Sequence, residues 1–123
     1  DFYPAYMFPP SNIFMTEDKS IIFKFALAGY KESDINLEFK GDYMLFSAKV
    51  NEDHKEEENV RYFKRRLKFK DIDNQRYYVP EDKFDREGVK ASFRNGILKV
   101  SIPPKDKVDS GNTIKVDIEG EDQ

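Results

Sequence analysis

The chain has one histidine, His54, set between Asp53 and Lys55 and followed by Glu56, Glu57 and Glu58. An imidazole beside carboxylates is raw material for a general base, a Ser-His-Asp triad or a metal site. Here, though, it lies in "NEDHKEEENV" (residues 51–60), and charge runs of this kind are usually solvated loop. The carboxylates offer the oxygen donors that a hard cation takes, yet nothing in their spacing fixes a coordination geometry. The run therefore reads as an acidic loop, with no catalytic residues and no metal ligands expected. Other chemistry is equally scarce. There is no cysteine, which removes disulfides, thiol catalysis and thiolate metal sites and fits a reducing, cytoplasmic setting. The six glycines are scattered at turns, with no GxxxxGK[ST] phosphate loop. Carboxylate pairs occur only in charged runs, without the burial that tunes a pKa. No cofactor is expected, and the chain does not read as an enzyme.

One segment combines charge with rings: "RYFKRRLKFKDID" (residues 61–73), in which cations alternate with Tyr62, Phe63, Leu67 and Phe69. Such a pattern can stack on single-stranded nucleic acid. Acidic flanks on both sides and a net charge of −3 argue against binding by phosphate neutralisation, so no nucleic-acid partner is expected. No apolar run approaches the ~18 residues of a membrane span, and no membrane partner is expected either.

The elements around these residues point to contacts between chains rather than to catalysis. A length of 123 residues suggests one domain, able to bury roughly two-thirds of its unfolded surface. The first ten residues, "DFYPAYMFPP", crowd Phe2, Tyr3, Tyr6, Met7 and Phe8 among three prolines, which block a helix or a central strand. This arm is expected to continue upstream of Asp1. It either packs on its own domain or forms an exposed adhesive segment, because aromatic and Met side chains adapt to many surfaces. Residues 11–104 read as strands. "SIIFKFALA" (Ser20–Ala28) is β-branched and aromatic. "INLEF" points Ile35, Leu37 and Phe39 inward, and "YMLFSAKV" points Met44, Phe46 and Ala48 inward. The turn Lys40-Gly41-Asp42 lies between them. "VKASF" places Val89, Ala91 and Phe93 inward, and after Asn95-Gly96, a strong hairpin signal, Leu98, Val100 and Ile102 do the same. A short turn is expected near Asp82–Gly88. Several short strands with regular turns imply an all-β sandwich.

Two segments do not fit a closed sandwich. From Lys49 to Gln75 the chain makes a long excursion before the next expected strand, "QRYYV", and such excursions are usually functional or disordered. Residues 61–70 have enough β-formers for a strand, and a strand on a long loop is suited to a neighbouring chain's edge. The polar tail, residues 105–123, carries Ile114, Val116 and Ile118 in alternation with Lys115 and Asp117. No hairpin partner is available to it, which suits strand addition along a groove or edge.

The hairpin decides the family resemblance. Ala91, Gly96, Ile97 and Leu98, followed by "SIPPK", resemble the signature of the alpha-crystallin domain of small heat-shock proteins. The opening strands, the long charged loop, "RYYVPEDKFDREGVKASF" and the apolar tail motif follow in the family's order, so the resemblance covers nearly the whole chain. Two positions depart from the pattern: Ala28 stands where the family usually has Pro, and Tyr78 where it usually has Arg, which puts an interface salt bridge in doubt. The resemblance implies an immunoglobulin-like β-sandwich with a long loop carrying an exchanged strand and flexible terminal arms. Its zones would be an N-terminal arm (1–10), the alpha-crystallin domain (11–104) and a C-terminal extension (105–123). It also implies ATP-independent holding of partially unfolded proteins by a dimer-based homo-oligomer, with ATP-dependent refolding chaperones as further partners. In that scheme Arg61, Tyr62, Phe63, Lys64 and Arg65, in a strand of about Arg61–Arg66, exchange onto a partner's edge at Asn12, Ile13 and Phe14. The tail's Ile114, Val116 and Ile118 dock in a groove at Leu37, Phe39, Val89 and Ala91, with the register open. Clients meet Phe2, Tyr3, Tyr6 and Phe8. The alternative is a CS-type co-chaperone domain, which shares the sandwich but acts as a monomeric interaction module.

Overall fold

The computed structural model describes residues 6–105 together with Val116 and Ile118. Phe2, Tyr3 and Ile114, and with them part of the expected arm and tail, lie outside the described residues. Seven strands form two antiparallel sheets. They are β1 (Ser11–Met15), β2 (Ile21–Ala26), β3 (Ile35–Lys40), β4 (Tyr43–Ala48), β5 (Ile72–Tyr78), β6 (Lys90–Arg94) and β7 (Ile97–Ile102). One sheet has the order β1-β2-β7-β6 and the other β3-β4-β5.

Alternation sets the two inner faces. Phe23, Phe25, Leu98, Val100 and Ile102 from one sheet meet Met44, Phe46, Ala48, Ile72 and Tyr77 from the other. The centre is aromatic: Phe25 stacks on Phe46 with ring centroids 4.5 Å apart, and Tyr77 stands edge-on to Phe23 at 5.4 Å. Each such ring stabilises the fold by ~1.5–3 kcal/mol through burial.

Two sequence expectations need correction. Strand β5 begins at Ile72, ahead of Gln75. Ile72 and Tyr77 both face inward, which a strict two-residue period forbids. The parity changes at Asn74, whose φ is +44°, beside a register shift between Phe46 and Ala48 on β4. The Asn74 amide donates to Ser47 Oγ at 3.0 Å, and that hydroxyl donates to Asn74 Oδ1 at 3.1 Å, so side chains satisfy the bulge. Residues 61–66, expected to pair with another chain, form no strand in the single chain. Second, Ala91 is exposed rather than in the core. It pairs with Val100, and Phe93 lies opposite Leu98, because β6 is the last strand of its sheet and no strand covers its inner side.

Candidate functional site

The side of the sandwich between β3 and β6 is open. Both are edge strands of their sheets, and the 3-10 turn Glu32–Asp34 enters β3 at one end. Ile35 and Leu37 from β3 and Ala91 and Phe93 from β6 line a groove of about 270 Å³, with Glu32 at its rim and buried Leu98 at its base. Leu37 and Ala91 thus line one groove. Phe39 instead lines a neighbouring hollow with Phe84, where the Arg86 guanidinium lies 5.3 Å from the Phe39 ring centre. Val89 packs against the core. Inward alternation had already marked Ile35 and Phe93. Glu32 was missed because it precedes the strand.

A second surface is the outer edge of β1, which pairs only with β2. Asn12 and Phe14 are exposed there, while Ile13 packs against the core. A free, partly apolar edge is a template for pairing with another chain. The long loop presents matching material. Phe63 is 92% exposed. The Arg61 guanidinium lies 5.4 Å from the Phe63 ring, and that of Arg65 lies 5.2 Å from the Tyr62 ring. Arg65 also pairs with Glu56, and Lys64 is exposed.

The loop is pinned at its root. Tyr30 Oη donates to the Lys70 carbonyl at 2.7 Å and accepts from the Lys70 amide at 3.2 Å. Burial raises this phenol's pKa despite the hydrogen bond it accepts from the Lys70 amide. The Val50 amide donates to Asp71 Oδ1 at 2.9 Å. Phe69 lies against Gly29, where a Cβ would come within 2.6 Å of the ring and 3.2 Å of His54, and His54 stacks on Phe69 at 4.7 Å. Tyr30 and Lys70 are forty residues apart, so no local spacing could have signalled this latch.

The hairpin and the arm complete the geometry. Asn95 and Gly96 both have positive φ, +52° and +77°, as a two-residue hairpin turn requires. The Gly96 carbonyl accepts from the Leu27 amide at 2.7 Å. A Cβ at Gly96 would sit 2.9 Å from the Ala28 Cβ. In the arm, the Tyr6 ring packs on Tyr77 at 5.6 Å, and its hydroxyl accepts from the Arg76 amide at 3.0 Å. Phe8 packs against the core, and its carbonyl accepts from Gln75 Nε2 at 2.6 Å. Tyr6 and Phe8 are therefore tied to their own domain. Val116 and Ile118 are 73% and 82% exposed.

Comparison with known proteins places the chain in a family. Residues 13–119 match the Hsp20/alpha crystallin family. The chain belongs to that family. An 18 kDa heat shock protein of Clostridium acetobutylicum is 27% identical over 121 residues, covering 94% of this chain and 79% of that protein. Spore protein SP21 of Stigmatella aurantiaca is 30% identical over 105 residues, covering 85% of this chain and 59% of that protein. The solved heat shock protein 16.0 of Schizosaccharomyces pombe has the same fold, with a TM-score of 0.64 at 24% identity over 94% of this chain and 86% of the other.

Membership in the Hsp20/alpha crystallin family supports a chaperone role. It also gives meaning to the two departures. At Tyr78, where the family usually has Arg, the ring packs on Tyr43 at 5.8 Å, and the Arg76 guanidinium lies 4.1 Å from the Tyr43 ring centre. Arg76 thus places a cation over Tyr43, on the face that Tyr78 shares. At Ala28, the small side chain seats Gly96. Among the described residues no helix is long and apolar enough to cross a membrane.

Proposed function

We propose that this chain is an ATP-independent holdase, binding partially unfolded proteins and preventing their aggregation as a dimer-based homo-oligomer. Bound clients would pass to ATP-dependent refolding chaperones. The observation that carries this reading is the open apolar groove between β3 and β6, on a family member whose β1 edge is also unpaired. In this reading residues 61–66 pair with a partner's β1, and a neighbour's tail enters the groove. Docking the tail buries two or three side chains at ~1.5–3 kcal/mol each before ordering costs. Each link is weak alone and strong only in multiple copies, which permits subunit exchange.

Native mass spectrometry of the full chain tests the assembly. The expected spectrum contains even multiples of the subunit mass. Ile114→Ala with Val116→Ala reduces it to dimers while the sandwich stays folded. A wild-type chain that flies only as monomer would favour the co-chaperone alternative. A double variant of unchanged assembly size would remove that apolar pair from the assembly.

A further inference from the structure

Between the arm and the root of the long loop lies a second cavity, of about 710 Å³, within the ~300–1,000 Å³ typical of binding sites. Its interior is apolar: Phe8, Pro10, Ala26 and the Tyr30 ring. Met7 and Leu67 stand at its mouth, 93% and 77% exposed. Its rim is cationic, with Arg65, Arg66, Lys68 and Lys70 and no carboxylate among the lining residues. Arg65 is held by Glu56, and the Lys70 ammonium lies 5.2 Å from the Phe8 ring centre. Arg66 and Lys68 make no ion pair among the described residues. An apolar interior under a cationic rim is complementary to a segment that sets an apolar side chain among acidic ones.

The β3–β6 groove has the opposite sign. Glu32 stands at its rim, and no cation lines it. The tail "TIKVDIEGEDQ" divides in the same way. Lys115 sits between Ile114 and Val116, whereas Asp117, Glu119, Glu121 and Asp122 surround and follow Ile118.

We propose that the segment Asp117–Asp122, led by Ile118, docks on the cationic cavity between arm and loop root, while Ile114-Lys115-Val116 occupies the β3–β6 groove. The proposal rests on the tail-docking reading above and decides its register. The chain between Lys105 and Asp117 reaches up to ~40 Å when extended, so the tail can come from the same copy or a neighbour. Seated there, it would hold residues 65–70 against their own domain, so that docking at this cavity competes with the exchange of residues 61–66 onto a partner. Exposed ion pairs are individually weak and screened by salt, so the contact is salt-sensitive.

The absence of native cysteine allows a direct test in the full chain. Gly120→Cys keeps all four tail carboxylates, and Leu67→Cys marks the cavity without touching a cation. Ser92→Cys marks the β3–β6 groove, and Asn36→Cys, on the exposed face of β3, is the background. Under mild oxidation the 120–67 disulfide should form about tenfold faster than the 120–36 background, reflecting local concentration. The excess should vanish in ~1 M salt, where the screening length is ~3 Å. Arg66→Glu with Lys68→Glu should abolish it, and adding Glu119→Lys with Glu121→Lys should restore it. A dominant 120–92 disulfide overturns the proposal while leaving tail docking intact. Background rates at both sites overturn the proposal and count against tail docking as well.

Discussion

At Gly96, two constraints fall on one atom. A φ of +77° disfavours any side chain, and a Cβ would collide with Ala28. Gly96→Val should therefore destabilise by ~1–3 kcal/mol. Leu98→Ala, at the base of the groove, should cost ~2–5 kcal/mol, as large-to-small core changes do. Thermal melts check both, and a Leu98→Ala midpoint within a degree or two of the parent (~1 kcal/mol shifts a domain of this size by several degrees) would place Leu98 outside the core. Tyr77 gives a pH signature. Burial raises its pKa, with nearby Tyr6 adding a smaller push the same way, and its hydroxyl donates to Gln75 Oε1 at 2.8 Å. A phenol whose pKa is raised by folding stabilises the fold in full below the unfolded-chain value of ~10, and that contribution fades as pH rises toward the folded-state value. Stability should thus hold between pH ~7 and ~9 and fall above ~10. Tyr77→Phe should lose ~0.5–1.5 kcal/mol at neutral pH with its hydrogen bond, and lose less than the parent on going alkaline. Parallel alkaline curves for the two proteins would clear Tyr77 of the effect. At this scale the sequence was legible where alternation governs, as at Met44, Phe46, Val100 and Ile102. It misled at Ala91, because period alone does not say whether a facing strand exists.

Among the elements, β2, β3, β4, β6 and β7 and both tight hairpins were readable, since turn chemistry and apolar period agree, whereas β1 came only from the family resemblance. β5 was readable only from Gln75 onward, because the bulge at Asn74 breaks the period that announces a strand. The loop divides by physics as well. Its root is anchored by Tyr30, Phe69 and Asp71 through contacts distant in sequence, while residues 61–66 have the composition of a strand and no strand at home. Of the candidate groove, alternation marked Leu37 and Ala91 as inward without showing that their face is open, whereas the rim at Glu32 and the cationic cavity arise from parts remote in sequence. Deleting Asn59–Lys68 leaves the root intact, since Phe69, Lys70 and Asp71 remain. The deletion variant should keep the sandwich's far-ultraviolet spectrum and sediment as monomer at micromolar concentration. A variant that still sediments as dimer would move the main dimer contact away from the loop.

Over the whole molecule, apolar material is kept at the margins of a heavily charged body, with 37% of residues Asp, Glu, Lys or Arg. The arm belongs to both regions. Tyr6 packs on Tyr77 and Phe8 against the core, so replacing them with Ser would disturb packing as well as any client contact. Phe2→Ser with Tyr3→Ser isolates the second role. A holdase requires no catalytic group, only exposed apolar surface whose attraction is non-directional and charge enough to keep the complex in solution. Light scattering from a heat-unfolded client, with no nucleotide present, tests this directly. At a subunit ratio near one to one, the full chain should suppress the client's scattering, and added ATP should change nothing. A client that aggregates as fast with the chain as without it, or is protected only when ATP is supplied, would contradict the account.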